Sequence, residues 1–440
     1  MVLLAAVGLL TEQVVERGLV QRLASSVTSA APSTAERSRG PGVTSPSVPG
    51  KSVGPSIPEE QVAQVLARRA QAVLRRDRAA FLATVDNRRP AFYRSQSALF
   101  GRMATVPFSE FRYALPSPLR NLATDRVRRR YGPSGVFVFP VEASYRFRGQ
   151  DTSPVLARYY YTFAFTPAGW QIAGTDDLKP KLRDDVQIWD AGPVQTVATK
   201  RTLVVFHPGD ATLARRLLNG AERGYTQVDA TWSSSWDHKV VILVPRDQSE
   251  AQRLVRTRDL SDVAAVTSSV IEAGPAHRVL GNRIITNTTI VEPYSTINLQ
   301  ILLTHEMTHV ATRRVGVGVP LYLVEGFADY TALRPLDLPL QVTRPSLAAA
   351  VEGGRFDGRL PSRSQLVGAD AAVAYDEGSS FCLWVARTFG EAKVQALYRS
   401  FGDLDGDPTR RDEDVRLRRV LGVSRATAEA RWAAFVRGSL

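Results

Sequence analysis

A single stretch, LLTHEMTHVATRR from Leu302 to Arg314, constrains the fold of this 440-residue chain more than any other. It contains two of the five histidines, His305 and His309, four residues apart. On a helix, residues i and i+4 lie one turn apart on the same face, so both imidazoles can reach a single metal ion. Glu306 is rotated by about 100° from His305 around the helix axis. It therefore misses the metal but can reach a water bound to it.

The residues around this stretch favour a helix. A serine or threonine just before it can cap its start, because a side-chain oxygen there accepts a hydrogen bond from the first turn. Apolar residues then recur at the spacing of one buried face, and glycine and proline end the pattern. The caps are Ser295 or Thr296, the apolar positions are Leu299, Leu302, Leu303 and Val310, and the breakers are Gly316, Gly318 and Pro320.

A candidate for a third ligand lies in the next helical pattern, PLYLVEGFADYTAL. Fifteen residues separate Glu325 from His309, so two antiparallel helices joined by a short loop can bring the glutamate to both histidines. A catalytic zinc site needs three protein ligands and one open position for water. Asp329 follows Glu325 at i+4 and is placed to accept the second ring proton of His305, as carboxylates beside zinc-bound histidines do.

Each of these residues also has a plainer interpretation. The pentapeptide HEMTH alone is compatible with a helix that carries two core or solvated histidines, and Asp329 with an ordinary acid on a helix surface. The position of Glu325 favours the metal site. The other histidines, His207, His238 and His277, lie outside the motif and are predicted to be structural or exposed.

HEMTH followed by VEGFADY resembles the gluzincin metallopeptidases, the thermolysin- and aminopeptidase-like group, over about residues 200–440. The resemblance implies a thermolysin-like domain, in which a mixed α/β lobe precedes a helical lobe. It also implies one Zn²⁺ per chain on His305, His309 and Glu325. Glu306 would then be the general base on a zinc-bound water that attacks a peptide bond.

Further segments match that family. NRIITNTTIVEP, residues 282–293, resembles the edge strand along which the family binds an extended peptide. Tyr375 in AYDEGSSFCLWVARTFG resembles a tyrosine that donates to the developing oxyanion; the alternative is a packing residue before a helix. Tyr330, at i+5 from Glu325, is a second candidate that is better explained by packing. The exopeptidase motif GxMEN has no counterpart in the sequence, so an aminopeptidase is not supported and an endopeptidase is favoured. A calcium loop of the thermolysin kind is also absent from the sequence.

Upstream, the chain divides into three parts. Residues 1–24 start with ten apolar residues, too few to span a bilayer, and are predicted to be a signal or membrane-anchor remnant or a short amphipathic helix. Residues 25–58 are rich in Ser, Pro and Gly and are predicted to be a disordered linker. Residues 59–190 run from helices to strands and resemble the cone-like α+β fold of the nuclear transport factor and ketosteroid isomerase superfamily. A connector over 184–200 leads to the domain at 200–440, and the predicted fold class of the whole chain is α+β.

Charge and cysteine content limit the function classes. The net charge is +13, but the basic residues are scattered and do not alternate with aromatic residues as in nucleic-acid-binding modules. We therefore expect no nucleic-acid partner. The single cysteine, Cys382, excludes a disulfide within the chain and a cysteine-based zinc cluster, and its apolar surroundings predict a buried residue.

The sequence thus predicts a zinc metallopeptidase that acts on a peptide or protein. We expect an extracytoplasmic protein associated with a membrane or cell envelope through its N-terminus, with a cytoplasmic location as the alternative. The alternative function is an envelope-tethered binding or scaffold protein with a latent or inactive peptidase domain. The sequence does not define the oligomeric state.

Overall fold

The computed structural model describes residues 58–440 except 133–134, 234–235, 257–259, 272–278, 316–317 and 405. The predicted apolar segment 1–24 and nearly all of the predicted linker 25–58 lie outside the described residues. Both stay predictions, as does the envelope location that depends on them. Within the described part, no helix is both long enough and apolar enough to cross a membrane.

The first unit packs helices against an antiparallel sheet. Its elements are α1 (Glu59–Arg75), α2 (Arg78–Ala83), α3 (Pro90–Met103), β1 (Phe108–Ala114), α4 (Asp125–Tyr131), β2 (Val136–Phe147), β3 (Val155–Thr166) and β4 (Gly169–Gly174). The four strands pair in chain order. Helix α1 buries Val62, Val65 and Leu66, which recur at helical spacing along one face. The closer likeness to the nuclear transport factor fold stays a prediction.

The second unit is a mixed five-stranded sheet with helices between its strands. Its elements are α5 (Ile188–Ala191), β5 (Gln195–Ala198), β6 (Thr202–Phe206), α6 (Ala211–Thr231), β7 (Val240–Val244), α7 (Gln248–Val255), β8 (Ala265–Ile271), β9 (Val279–Thr286) and α8 (Thr288–Val291). The strand order is β5–β6–β7–β9–β8, with β6, β7 and β9 parallel and the two outer strands antiparallel to their neighbours. Strands β6 and β7 are buried at every residue, as expected for strands covered on both faces.

The prediction that residues 282–293 form the edge strand is wrong. Strand β9 pairs with β7 on one side and with β8 on the other, and the chain then enters the short helix α8. The outer strand is β8, with the sequence AVTSSVI. The two form a hairpin whose second strand lies next to β7, an order that local sequence patterns do not encode. The connector predicted over 184–200 contains the other outer strand, β5.

The C-terminal part is helical. Its helices are α9 (Thr296–Thr312), α10 (Leu321–Leu333), α11 (Leu340–Thr343), α12 (Pro345–Glu352), α13 (Arg363–Leu366), α14 (Ala371–Phe389), α15 (Glu391–Arg399), α16 (Arg410–Leu421) and α17 (Arg425–Ser439), with a 3₁₀ turn at Arg334–Leu336. One apolar core runs from the sheet through α6, α9, α10 and α14 to Trp432 on α17. The predicted α+β class, with helices gathered at the C-terminal end, is confirmed.

The two faces of the second sheet pack against different partners. On β6, Val204 and Phe206 join the helical core, whereas Leu203 and Val205 join a core that also contains residues of the first unit. In that shared core, Trp189 makes edge contacts with the rings of Phe108, Tyr145 and Phe147. The first unit therefore covers one face of the sheet, and the two units have a common core.

A buried ion pair joins the same two units. Arg283 on β9 donates to both carboxylate oxygens of Asp151 at 2.7 and 2.8 Å, and its guanidinium lies 4.6 Å from the centre of the Phe147 ring. Next to it, a Cβ on Gly281 would lie 2.5 Å from Val155 Cγ2. Strand β9 is thus held directly against the hairpin of β2 and β3.

Candidate metal centre

Helix α9 carries both histidines and is buried around nearly its whole circumference. Ser295 caps its start by accepting a backbone hydrogen bond, one of the two predicted caps. Helix α6 packs directly on it: a Cβ on Gly224 would lie 2.9 Å from Thr304 Oγ1, and one on Gly220 would lie 3.0 Å from Leu303 Cδ1. The glycines of α6 thus allow the close approach that buries the histidine-bearing helix.

Helix α10 carries Glu325 and crosses α14 where two glycines meet. A Cβ on Gly326 would lie 2.3 Å from the carbonyl of Gly378, and one on Gly378 would lie 2.4 Å from the carbonyl oxygen of Tyr322. The two backbones are therefore in direct contact. This crossing holds Glu325, the neighbour of Gly326, in place, together with Tyr375 on α14.

His305, His309 and Glu325 each direct one ligand atom to a common point. The two Nε2 atoms lie 2.9 Å apart, and Glu325 Oε2 lies 3.4 Å from that of His305 and 3.6 Å from that of His309. The circle through these three atoms has a radius of about 1.9 Å, slightly less than Zn–N and Zn–O bonds of about 2.0–2.2 Å. These three atoms would therefore fit as ligands of one zinc ion.

Two imidazoles and one carboxylate are a donor set of catalytic zinc sites. Among the residues that the structure describes, no other group of three or more His, Cys, Asp or Glu side chains brings ligand atoms together in this way. The structure thus brings the three predicted ligands together.

The unpaired polar atoms of the site also fit a cation. Both carboxylate oxygens of Glu325 are buried without a hydrogen-bond donor, and so is Oε1 of Glu306. A buried anion is costly unless an opposite charge or a metal compensates it. His305 Nδ1 lies 2.7 Å from Asp329 Oδ1, so its ring donates there and directs the Nε2 lone pair at Nε2 of His309. A proton or a metal ion must lie between the two nitrogens.

The electrostatics of the ligands agree with this. Burial disfavours a charged imidazole, but the negative charges of Asp329 and Glu325 and the hydrogen bond to Asp329 outweigh it and raise the pKa of His305 to about 10. Burial likewise opposes ionisation of Glu325, and the two histidines outweigh it and lower the pKa of that carboxyl. The site therefore stabilises positive charge at the point where the three ligand atoms converge. Asp329 also occupies the place that was predicted for it.

Glu306, the predicted general base, lies beside the outer strand of the sheet. Its Oε2 is 2.6 Å from Thr267 Oγ1, and its backbone oxygen is 3.2 Å from the same hydroxyl. Thr267 belongs to β8. Sequence reasoning missed this threonine because the contact spans 39 residues and because the outer strand was assigned elsewhere.

The two tyrosines considered as oxyanion donors lie in different surroundings. Tyr375 lies inside α14 rather than before it and is buried. Burial, together with the charges of Glu325, Asp329 and Glu306, holds its pKa well above the usual value, so its phenol keeps its proton. Its role as an oxyanion donor stays a prediction. The hydroxyl of Tyr330 points instead to Glu391, 3.4 Å from Oε1, and its ring packs in the core, as predicted.

The remaining histidines stay away from the metal site where they are described. His207 is buried, with Nδ1 2.7 Å from the carbonyl oxygen of Pro193 and Nε2 2.8 Å from Glu250 Oε1. Burial opposes protonation, but these two acceptors outweigh it and raise the pKa of His207. His238 is partly exposed beside Asp229, and His277 lies outside the described residues. Cys382 is free and buried, as predicted.

Comparison with known proteins gives a distant likeness only. No protein-family model and no curated protein matches the chain. Among solved structures, native yeast LTA4 hydrolase aligns with a TM-score of 0.36 and 11% identity over 54% of this chain, and the match spans 38% of that enzyme. A mutant M1 zinc metallopeptidase from Deinococcus radiodurans aligns with a TM-score of 0.31 and 13% identity, covering 76% of this chain and 71% of the other. The same mutant with a Tyr-Ser-Ala substrate bound gives a TM-score of 0.32, also at 13% identity, over 76% and 70%. TM-scores this low do not establish a shared fold.

Proposed function

We propose that this chain is a zinc-dependent peptidase of the gluzincin type that hydrolyses peptide bonds within a peptide or protein. One observation carries the proposal. The ligand atoms of His305, His309 and Glu325 lie on a circle of about zinc-bond radius, and the carboxylate of Glu306 is buried on the same helix with one oxygen unpaired. Bound zinc would lower the pKa of a coordinated water to about 7 and polarise the scissile carbonyl.

The residues of the chain then have separate roles. Glu306 accepts the proton of the attacking water at its unpaired Oε1 and returns that proton to the leaving nitrogen. Asp329 fixes the ring orientation of His305 by accepting its Nδ1–H. Tyr375 donates its phenolic proton in a hydrogen bond to the oxygen that becomes negative, because its pKa is too high for it to ionise.

Strand β8 supports a peptide as the substrate class. It is the outer strand of the sheet, and no other described strand pairs with its free edge. An extended peptide can add there through backbone hydrogen bonds, irrespective of its side chains. A peptide bound along this edge passes Thr267 and therefore Glu306, which favours cleavage within a chain.

Metal content and hydrolysis together test the proposal. The full chain is purified, its zinc is measured by plasma mass spectrometry, and it is incubated with a mixture of peptides whose products are read by mass. We expect about one zinc per chain, as a single three-ligand site requires, and cleavage at internal bonds. Glu325→Ala should lose the metal, and Glu306→Gln should keep it but lose hydrolysis.

The exposed Glu352, on α12, provides the matched control, because Glu352→Ala should change neither readout. A wild-type chain that takes up no zinc even after reconstitution would reject the proposal and favour the scaffold function. Unchanged hydrolysis by Glu306→Gln would reject the role of Glu306 as base.

A further inference from the structure

Thr267 lies where the outer strand meets the metal-binding helix. On β8, Ala265 joins the helical core and Val266 joins the core shared with the first unit. Side chains alternate along a strand, so Thr267 faces the helices, as Ala265 does. It is 4% exposed and pairs with Ile284 on β9. Its hydroxyl thus reaches α9 from a strand that is anchored in the sheet.

This hydroxyl has one proton and two acceptors within reach on Glu306. The carboxylate Oε2 is at 2.6 Å and the backbone oxygen at 3.2 Å, so the proton is donated to the carboxylate. Hydrogen bonds from a hydroxyl to a carboxylate at about 2.5–2.7 Å are of the strong, charge-assisted kind. The other carboxylate oxygen, Oε1, is buried and has no donor. Thr267 therefore holds one oxygen of Glu306 and leaves the second available.

We propose that Thr267 is a positioning residue that fixes the orientation of Glu306 as general base; this inference rests on the proposed peptidase function. The terminal torsion of a glutamate is broad, so a carboxylate without this contact can rotate. Such a rotation would turn Oε1 away from the position in which it takes the proton of the water. The hydroxyl of Thr267 prevents this by tying Oε2 to the sheet.

The same contact sets the base relative to the substrate. A peptide added to the free edge of β8 takes its position from the backbone of the strand that carries Thr267. The strand that would hold the peptide is thus also the strand that holds the carboxylate.

Kinetics of conservative variants of the full chain test the role. Thr267→Val keeps the shape of the side chain but removes its proton, and Thr267→Ser keeps the hydroxyl. We expect Thr267→Val to lower kcat by about 10–100-fold, with KM and zinc content nearly unchanged, and Thr267→Ser to restore most of kcat. Thr286→Val is the matched control, because Thr286 is a buried strand threonine whose hydroxyl donates to the backbone oxygen of Leu243. A Thr267→Val variant with the kcat of the wild type would overturn the proposal.

A double-mutant cycle, measured as Tm values of the metal-free protein, gives a readout that needs no activity. Thr267→Val should lower Tm in the wild-type background, because a buried carboxylate oxygen loses its donor. It should have a smaller effect in a Glu306→Met background, where only the backbone oxygen of residue 306 remains as an acceptor for the hydroxyl. Equal shifts in both backgrounds would overturn the proposal. A wild-type chain that binds zinc but cleaves no peptide would reject the peptidase function. The double-mutant cycle of Tm values would still decide whether Thr267 acts through Glu306.

Discussion

Asp329 determines which nitrogen of His305 faces the other ligands, because its Oδ1 accepts the Nδ1–H at 2.7 Å. Asp329→Asn keeps the size of the side chain but removes its charge, so the ring loses the anionic acceptor that fixes its tautomer. We expect zinc affinity or kcat to fall about 10–100-fold. The exposed Asp337, just beyond the same helix, supplies the control, since Asp337→Asn should leave both quantities unchanged. Equal values for the two variants would contradict a role of Asp329 at the metal.

A proton and a metal ion compete for His305. In the metal-free protein its pKa is raised to about 10, so at neutral pH the ring must lose a proton before the metal binds. The apparent zinc affinity should therefore rise about tenfold per pH unit from neutral pH to well above pH 8. Competition with a chromophoric chelator measures it. An affinity that is constant above pH 7 would show that the pKa of His305 is that of an ordinary histidine.

The raised pKa of His305 also affects the folding stability of the metal-free protein, which falls with rising pH, whereas zinc affinity increases. A folded-state pKa above the unfolded value contributes stability that is fully present below the unfolded pKa of about 6.5. This contribution is lost as pH rises through about 10. The metal-free protein should thus lose stability at alkaline pH through this group, while zinc binding grows stronger.

At the scale of elements, the crossing of α10 and α14 is the most constrained contact near the site. A methyl group on Gly326 would lie 2.3 Å from the backbone of Gly378, so Gly326→Ala must force the helices apart. We expect a loss of about 1–3 kcal/mol or more in the free energy of unfolding, and weaker zinc binding as Glu325 moves.

The helix α3 offers a matched control for this substitution. A Cβ on Gly101 meets nothing within 4 Å, so Gly101→Ala should stabilise the protein by about 0.5–1 kcal/mol through helix propensity. Urea denaturation of both variants measures the difference. Equal effects would show that the crossing tolerates a methyl group.

Elements with a strong local signal could be predicted from the sequence. The helix of His305 and His309 has a cap, an apolar face and a breaker, and the spacing to Glu325 indicated a second helix. Strand β8 was missed because small polar residues interrupt its apolar pattern at the centre of AVTSSVI, and its place in the sheet depends on pairing with a strand that follows it. The contact of Thr267 with Glu306 and the glycine contact between α10 and α14 could not be found from the sequence either. These contacts depend on tertiary packing, which periodicity does not encode.

At the scale of the whole molecule, the pair of Asp151 and Arg283 joins the two units. Their side chains are 4% and 8% exposed, so removing one partner leaves an uncompensated buried charge. Asp151→Ala should cost about 3–5 kcal/mol in the free energy of unfolding, whereas the double variant Asp151→Leu with Arg283→Met should cost much less. Equilibrium urea denaturation compares them. A double variant that is no more stable than the single one would contradict this account of the pair.

The shared core also determines which form of the protein is suitable for experiments. A fragment that starts at residue 200 would expose Leu203, Val205, Val241 and Leu243, which face the first unit. An apolar sheet face of this kind promotes aggregation. Metal binding and hydrolysis are therefore best measured on the full chain.

Because the two units have a common core, zinc binding should slow local opening of the backbone far from the metal ligands. Zinc binds only the folded state of the site, so it raises the free energy of every opening that disrupts this site. If the first unit cannot open without exposing the sheet that supports α9, the backbone amides of β2 and β3 should exchange with deuterium more slowly when zinc is added. The exchange rate of this hairpin, which contributes no metal ligand, would then indicate whether the metal is bound.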